Sequence, residues 1–402
     1  MTATTALPTR HPVEPCTVPA GIRSFAAMLR LRPPSDAEFR RLGEALIEGD
    51  QPMDRLVQWM HAEDTETRRA WFEQALLGGI ASVAEAPPEL REFFEQVELV
   101  PAWLDREKLR VGARAMRAGG ADGLYLARDV SLLGGYLYSG FNVTLLRTGA
   151  LEKGSNQRFA ETTRWALDVI SEGGLEPGGI GYRSTIRVRW IHSMVRRHLL
   201  AQPDWDTAAW GIPINQTDMA ATLIGALVAP SIGGIGMGIF HRPAEYEAVA
   251  HLTRYVGRLM GVSDEFLPRD FRDCVRILFH TSAALATPDE TSRQLASPMA
   301  EDPLRWNYPR FAALRRRLAR EQHLSISCAF LGRRAMALLG LPTSTLPWYP
   351  VLRFPVNAMR SALRAVPALA DRAADRGIAE QDAFMRTMVD DVAIGHSASV
   401  TH

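Results

Sequence analysis

The chain has 402 residues, of which 47% are hydrophobic and 23% are charged, a composition typical of a globular protein with a large core. Its 46 basic and 45 acidic residues leave a formal net charge of only +1. So small a charge cannot neutralise the phosphates along a nucleic acid, and we expect no nucleic acid partner.

Cysteine usage and the N-terminal sequence bear on the compartment. Cys16, Cys274 and Cys328 are odd in number and far apart, with neither the spacing of a zinc site nor a disulfide framework. The N-terminal sequence MTATTALPTRHPVEPC lacks the charged region and apolar run of a secretory signal. We therefore expect a cytoplasmic protein.

Apolar residues recur with helical spacing along almost the whole chain, and alternating strand-like runs are scarce. The sequence therefore predicts an all-α fold. In chain order, the predicted helices cover 54–78, 105–118, 122–147, 156–171, 183–200, 216–228, 243–260, 268–287, 309–339 and 355–373. Residues 1–33 are predicted to form an irregular arm.

The segment from Met219 to Phe240 carries no charged residue and is long enough to span a membrane. Pro230 and several glycines interrupt it, however, and no cluster of lysine or arginine flanks it to set an orientation. A buried helix followed by a glycine-rich turn is favoured, so we expect no transmembrane segment. Binding of a peripheral lipid by this segment is a weaker alternative.

A histidine in the sequence RVRWIHSMVRRHLL is the first candidate for chemistry. On a helix that turns about 100° per residue, apolar residues fall on the side of His192 and two arginines fall on the other side: Val188, Ile191, Val195 and Leu199 against Arg189 and Arg196. Haem requires this combination of imidazole, apolar wall and nearby cations. Periodicity alone also allows, and by frequency favours, a core histidine whose nitrogens have protein partners.

The preceding predicted helix contains the sequence QRFAETTRWALDVI. Its spacing places four residues on one face: Arg158, Thr162, Trp165 and Val169. Arg158 and Thr162 are therefore candidates to reach into a buried pocket, with Glu161 at its margin. The alternative is a helix whose first turn is simply solvated.

Several segments resemble the latex-clearing (rubber) oxygenases and the mpaB-type oxygenases. They are LLRTGAL, RFAETTRWALDV and IRVRWIHSMVRRHL within 135–200, and then WGIPINQTDMAATL and VGRLMGVSDEFLP in the same order. The resemblance covers roughly residues 50–350. It implies a globin-like helical core with one non-covalent haem b, His192 as axial ligand, and Arg158 and Thr162 near the distal face.

The resemblance also implies a domain organisation. We expect an N-terminal arm and first helix over 1–50, the haem-binding oxygenase domain over 51–350, and a C-terminal helical extension over 351–402. One departure concerns the position before the distal threonine, where latex-clearing proteins have a lysine that can be the sixth iron ligand. This chain has Glu161 there.

The sequence thus predicts a haem b-dependent oxygenase that uses O₂ on an apolar, unsaturated substrate, with cleavage of a C=C bond as one outcome. The electron donor, if one is needed, is not identified. The alternatives are a haem protein without turnover, such as a gas sensor or haem carrier, and a peripheral lipid-binding protein. The candidate catalytic residues are Arg158, Glu161 and Thr162, the candidate iron ligand is His192, and the other candidate haem contacts are Arg189, Trp190, Val195 and Arg196.

Overall fold

A computed structural model describes residues 6–285, 288–364 and 366–389. Every regular element in those ranges is helical, which confirms the all-α prediction. The first helices span Ala20–Met28, Asp36–Glu44, Gln51–Met60, Thr65–Gly78, Pro88–Glu98 and Arg106–Arg117. Helix Ala20–Met28 lies inside the predicted irregular arm, where Phe25 packs edge-on against Phe271 with ring centroids 6.4 Å apart.

The next helices are short until the pair that carries the candidate residues. They span Gly120–Leu126, a π-helical segment Ala127–Leu132, Leu133–Gly135, Ser139–Arg147, Ala150–Lys153, Ser155–Val169 and Ile180–Leu200. The prediction of one helix over 122–147 is therefore wrong. The π-helical segment turns Arg128 and Asp129 into the protein, where the carboxylate of Asp129 also binds Nδ1 of His323. These long-range contacts outweigh local helical periodicity.

The remaining α-helices span Thr207–Trp210, Gln216–Leu227, Ala229–Gly236, Pro243–Met260, Phe271–Ala284, Glu290–Glu301, Ala312–Leu338, Trp348–Arg364 and Pro367–Met388. Short 3₁₀ turns lie at Ala45–Ile47, Ile80–Ser82, Asp264–Phe266 and Asp302–Arg305. The predictions for 216–228 and 243–260 hold to within a residue. The helix predicted over 355–373 is in fact the end of one helix and the start of another.

The uncharged segment from Met219 to Phe240 forms two helices joined at Val228, which is the C-cap of the first helix and the N-cap of the second. Pro230 lies in the first turn of the second helix, where a missing backbone N–H costs least. Within the described ranges, no single helix has the length and apolar character needed to span a membrane, although this pair, bent by 40°, has both when taken together.

Two antiparallel helices frame the candidate site: Ser155–Val169, here the Arg158 helix, and Ile180–Leu200, here the His192 helix. The indole Nε1 of Trp165 donates a 3.0 Å hydrogen bond to Oγ1 of Thr185 and joins their buried sides. Gly181 permits close approach, because a Cβ there would lie 2.5 Å from the carbonyl oxygen of Asp168. The main hydrophobic core packs around both helices.

Candidate functional site

His192 lies in the interior of the protein, yet part of its imidazole ring remains accessible. Burial, together with the positive charge of Arg196, lowers the pKa of His192 to about 4 against the opposing charge of Asp50, so the ring is neutral at pH 7. Its Nδ1 is fully buried and has no hydrogen-bond partner, which leaves Nε2 on the accessible edge. Nδ1 therefore lacks the partner that the ring nitrogens of a core histidine normally have.

The apolar residues that share the side of His192 differ in their exposure. Val188, Ile191 and Val195 lie on the same side of the His192 helix and are only half-buried, whereas Leu199, one turn further on, is fully buried. Accessible apolar area therefore remains beside the turns that flank His192. An apolar group that packed there would remove these side chains from water.

Arg189, one turn before His192, is tied to the start of helix Gln51–Met60. Its guanidinium holds the carboxylate of Asp50 with two hydrogen bonds, one of them 2.7 Å from NH2 to Oδ1, and both residues are buried. Gly261 makes this contact possible, because a Cβ there would lie 2.7 Å from Nε of Arg189. The φ of Gly261 is +84°, a conformation that also favours glycine.

Arg196, one turn after His192, makes an equivalent connection. Its Nε and NH2 each lie 2.9 Å from the carboxylate of Asp54, and its NH1 donates to the carbonyl oxygen of Ile214. The hydroxyl of Ser193 donates to the same carboxylate. Both arginines that flank His192 thus pair with protein carboxylates. The sequence had instead predicted that they contact the haem.

Trp190 points away from the imidazole. It lies two residues before His192, a rotation of about 200° on the helix, and packs against Phe72 with ring centroids 6.1 Å apart. The guanidinium of Arg69 lies 5.3 Å from the centre of its ring. Its Nε1 is buried without a partner. The structure therefore places Trp190 in the packing of helix Thr65–Gly78, whereas Val195 lies in the apolar wall beside His192.

Arg158 is half-buried, and one nitrogen of its guanidinium makes no hydrogen bond. Its NH1 is buried without a hydrogen-bond partner, and the guanidinium lies beside the hydroxyl of Tyr136. Arg158 lies seven residues before Trp165, and His192 lies seven residues after Thr185. The two helices run antiparallel, and Trp165 is hydrogen-bonded to Thr185. Arg158 and His192, at equal distances from that bond, therefore lie level with each other along the helix axes.

Thr162 and Glu161 lie nearer the surface than Arg158. The hydroxyl of Thr162 is exposed and donates to the carbonyl oxygen of Arg158, 3.1 Å away. The carboxylate of Glu161 pairs with Nζ of Lys153 at 2.8 Å and accepts from Gln157 at 3.2 Å. Glu161 therefore has Lys153 as its cationic partner.

A pocket of about 300 Å³ opens beside Arg158, and its polar lining was not found from the sequence. Tyr136 and Asp302 line it and are almost fully buried. Burial raises the pKa of both groups, while the charge of Arg158 opposes the effect at Tyr136 and that of Arg128 opposes it at Asp302. Neither residue lies in a motif or a periodic pattern, so the sequence held no signal for them.

A second helix also borders open space. In helix Gln216–Leu227 most side chains are buried, but Thr222 is exposed and Ala226 is half-buried. A Cβ at Gly225, on the same face, would meet no atom within 4 Å. This helix and the His192 helix both pack on helix Pro243–Met260. Small residues thus leave room on one face of a helix that is otherwise in the core.

Together these features define an all-α protein with a neutral histidine whose Nδ1 has no hydrogen-bond partner and whose neighbours on the helix are partly exposed apolar side chains. The chain belongs to the family described as ER-bound oxygenase mpaB/B'/Rubber oxygenase, catalytic domain, whose sequence profile matches residues 123–368. That match includes both the Arg158 helix and the His192 helix. It confirms the family resemblance inferred from the motifs.

Two relatives illustrate the similarity. The Rubber oxygenase of Streptomyces sp. (strain K30) is 30% identical over 205 residues, which are 49% of this chain and 47% of that protein. The chain thus spans about half the length of this curated relative. The solved structure of latex clearing protein LCP in the closed state matches with a TM-score of 0.65 and 20% identity, over 87% of this chain and 94% of that one. This second match shows a shared fold.

Proposed function

We propose that this chain is a haem b-dependent oxygenase in which His192 would ligate the iron, and that it uses O₂ to oxidise an apolar, unsaturated substrate. The observation that carries the proposal is the state of His192, whose neutral ring has a buried Nδ1 without a partner and an accessible Nε2 edge. A neutral imidazole nitrogen on an accessible edge is what haem iron needs from a protein.

The residues around His192 fit a haem. A macrocycle needs an apolar surface beside its ligand, and Val188, Ile191 and Val195 supply one with area still uncovered. The open face of helix Gln216–Leu227 supplies space without bulky side chains at Gly225. We propose that both faces would contact the haem; their helices pack on the same neighbour, Pro243–Met260.

Haem b, when bound, supplies the activation of O₂. The chain's own residues supply position and polarity. The ion pairs of Arg189 and Arg196 fix the rotation of the His192 helix about its axis, and so fix the direction of the imidazole. Arg158 offers an unpaired N–H donor at the height of His192, suited to an oxygen atom that gains negative charge.

Tyr136, Thr162 and Glu161 complete the proposed polar side of the site. The hydroxyl of Tyr136 lies beside Arg158 and, because burial raises its pKa, remains protonated and able to donate. The exposed hydroxyl of Thr162 and the carboxylate of Glu161, which pairs with Lys153, lie on the next turn of the same helix.

The substrate class follows from the family and from the apolar wall. The relative in Streptomyces is named a rubber oxygenase, and an apolar substrate with C=C bonds is the corresponding proposal for this chain. In an oxidative cleavage, both atoms of O₂ enter the products and the C=C bond is replaced by two C=O bonds. That balance requires no external reductant.

The decisive experiment compares haem content in three proteins after reconstitution and gel filtration. His192→Ala should lose most of its haem, because the substitution removes the only proposed bond from protein to iron. His198→Ala is the matched control, since His198 is exposed on the same helix and contacts Gln202. Stoichiometric haem with an unchanged Soret band in His192→Ala would refute the ligand assignment.

A second measurement separates the oxygenase from a gas sensor or haem carrier. Oxygen uptake is followed with an isoprene oligomer as substrate, and the products are assayed for carbonyl groups. Substrate-dependent uptake with carbonyl products is expected of the oxygenase. Stable haem without any such turnover across a set of apolar alkenes would favour the sensor or carrier.

A further inference from the structure

A cavity of about 590 Å³, here the arginine cavity, is lined by the loop that follows helix Ala20–Met28 and by the chain around the start of helix Phe271–Ala284. Its volume is typical of small-molecule sites. Glu38 is the one acidic residue among the described residues that line it. Five of the eight described lining residues are arginines: Arg30, Arg32, Arg269, Arg272 and Arg276.

The loop wall of the arginine cavity is held in place by side chains of the facing helix. Nε and NH2 of Arg272 each lie 3.4 Å from a backbone carbonyl oxygen, that of Leu29 and that of Arg30 respectively. The buried ring of His280 donates a 3.1 Å hydrogen bond from Nε2 to the carbonyl oxygen of Arg32. The backbone that carries the two loop arginines is therefore fixed relative to the helix that carries the others.

Arg30 has a backbone conformation that glycine normally adopts. Helix Ala20–Met28 ends in a Schellman motif, in which the N–H of Arg30 donates to the carbonyl oxygen of Ala27 and the N–H of Leu31 donates to that of Ala26, each at 2.9 Å. Arg30 is the left-handed residue of the motif, with φ +52°. Glycine is usual there because a side chain is strained. An arginine in this position indicates a role for its side chain.

Two carboxylates pair with arginines of the cavity and leave many of their N–H groups unused. Glu38 accepts from NH1 and NH2 of Arg32. The buried carboxylate of Asp273 accepts from Nε of Arg276 at 2.6 Å and from Nε of Arg269 at 3.3 Å. In these last two guanidinium groups, Nε alone forms hydrogen bonds within the described ranges. Their NH1 and NH2 groups remain available to a ligand.

Charges further from the cavity do not offset its arginines. Asp270 and Glu247 accept from backbone N–H groups at the start of helix Phe271–Ala284. Beyond them, the charges of Arg254 and Asp264 oppose each other. Arginines of this region therefore outnumber its carboxylates even when every carboxylate is ionised. Guanidinium groups gathered around one cavity repel each other unless an anion lies among them.

We propose that the arginine cavity binds a small, soluble molecule with two or more phosphate groups, of which pyrophosphate is the simplest. Planar guanidinium groups form paired hydrogen bonds with phosphate oxygens. Arg272 and Arg276, one helical turn apart, suit one phosphate group, and Arg30 on the loop wall suits a second. Leu31 is the one apolar residue among the described lining residues, so the site offers little to an apolar ligand.

The arginine cavity is separate from the candidate haem site. Arg30 and Arg32 precede residues 123–368, which match the oxygenase family, and the described lining includes no residue of the His192 helix or the Arg158 helix. A phosphate ligand here would therefore be a property of this chain beyond the proposed oxygenase activity.

Isothermal titration calorimetry of the full chain with pyrophosphate, in about 0.15 M salt to screen weak surface attraction, measures binding. The wild type should bind pyrophosphate at least about tenfold more tightly than orthophosphate, which cannot reach both walls. Arg272→Gln should weaken pyrophosphate binding at least about tenfold, because it removes a charged donor without leaving a carboxylate unpaired. Arg23→Gln is the matched control, since Arg23 is exposed on helix Ala20–Met28 and is not a lining residue.

Arg30→Gly separates binding by the side chain from a structural role. Glycine adopts a positive φ without strain, so this variant should melt at the same temperature as the wild type or higher. It should nevertheless bind pyrophosphate at least about tenfold more weakly. Thermal melts by circular dichroism, with and without pyrophosphate, also report binding, because a ligand of the folded state raises the melting temperature.

Three results would overturn the proposal. They are no binding of pyrophosphate to the wild type by either method, wild-type affinity in both Arg30→Gly and Arg272→Gln, and flotation with vesicles containing phosphatidylinositol phosphates in the absence of pyrophosphate binding, which would identify a lipid headgroup instead. His192→Ala should bind pyrophosphate as the wild type does. Loss of the haem assignment would therefore leave this result intact.

Discussion

The guanidinium of Arg189 and the carboxylate of Asp50 meet as a buried pair, although 139 residues separate them in the chain. Arg189 lies one turn before the candidate iron ligand, and Asp50 caps the N-terminus of helix Gln51–Met60 by accepting from the backbone N–H of Met53. The pair therefore joins the His192 helix to the first helix of the core. Loss of either partner leaves a charge buried without compensation.

We expect Arg189→Met to destabilise the protein by about 3 to 5 kcal/mol, the usual cost of breaking a buried ion pair. The double variant Arg189→Met/Asp50→Asn should recover part of that loss, because no unpaired charge remains and the side chain at 50 can still cap the helix. Urea unfolding of the haem-free proteins measures both values. Wild-type stability in Arg189→Met would show that the pair contributes nothing.

Arg158→Ala should retain haem but lower turnover by about 100-fold, the usual size for removal of a donor positioned at a reacting oxygen. Thr162→Ala should have a smaller effect, since its hydroxyl already donates to the carbonyl oxygen of Arg158. Arg164→Ala, on the same helix and also half-buried, is the control and should keep wild-type turnover. Unchanged oxygen uptake in Arg158→Ala would leave that residue with a structural role only.

The stability of the fold should depend on pH through Asp168, at the end of the Arg158 helix. Burial raises the pKa of Asp168 to about 6, against the opposing effects of Arg164 and of a hydrogen bond from Ser184. The folded protein therefore binds a proton more tightly than the unfolded chain. This contribution to stability is present below pH 4 and is lost as the pH rises through 6.

Asp168→Asn should accordingly be more stable than the wild type at pH 8, by up to about 3 kcal/mol, and should lose that advantage at pH 4. Paired urea unfolding curves at the two pH values measure the difference. An advantage of equal size at both pH values would mean that ionisation of Asp168 is not its cause.

Helical periodicity was sufficient to predict which residues share a face with His192 and with Arg158, because an angle of 100° per residue depends only on spacing. It could not reveal Asp50 and Asp54, whose contacts with the His192 helix span about 140 residues of chain. Nor could it reveal that Arg189 and Arg196 pair with carboxylates, since the partner of a buried charge depends on tertiary packing.

Helix Trp348–Arg364 shows a second limit of prediction from sequence. An amphipathic pattern identifies two faces of a helix but does not say which of them contacts the protein. In Trp348–Arg364 the answer depends on Asp122, more than 200 residues earlier, which draws the polar face inward. Elsewhere local chemistry decides: the helix predicted over 54–78 breaks because Asp64, at φ +36°, caps a new helix by accepting from the N–H of Thr67.

The last prediction concerns Glu161, which stands where the resemblance to latex-clearing proteins implies a lysine able to ligate the haem iron. In this chain Lys108 and Lys153 are the only lysines, and Nζ of Lys153 lies 2.8 Å from the carboxylate of Glu161. A carboxylate is a poorer ligand for ferrous haem than an amine. We therefore expect resting iron, with haem bound, to be five-coordinate or to carry water, and its spectrum to be high-spin.

Glu161→Lys should place an amine at the position that the family uses and convert the resting iron to a six-coordinate, low-spin form. Glu161→Gln is the matched control, because it removes the negative charge without adding a ligand, and its spectrum should remain high-spin. Absorption and electron paramagnetic resonance spectra distinguish these states. A wild-type protein that is already low-spin with a second nitrogen ligand would contradict the expectation. An unchanged high-spin spectrum in Glu161→Lys would show that residue 161 does not reach the iron. Arg158, whose NH1 has no hydrogen-bond partner, would then be the residue of this helix that could still donate a hydrogen bond in the site.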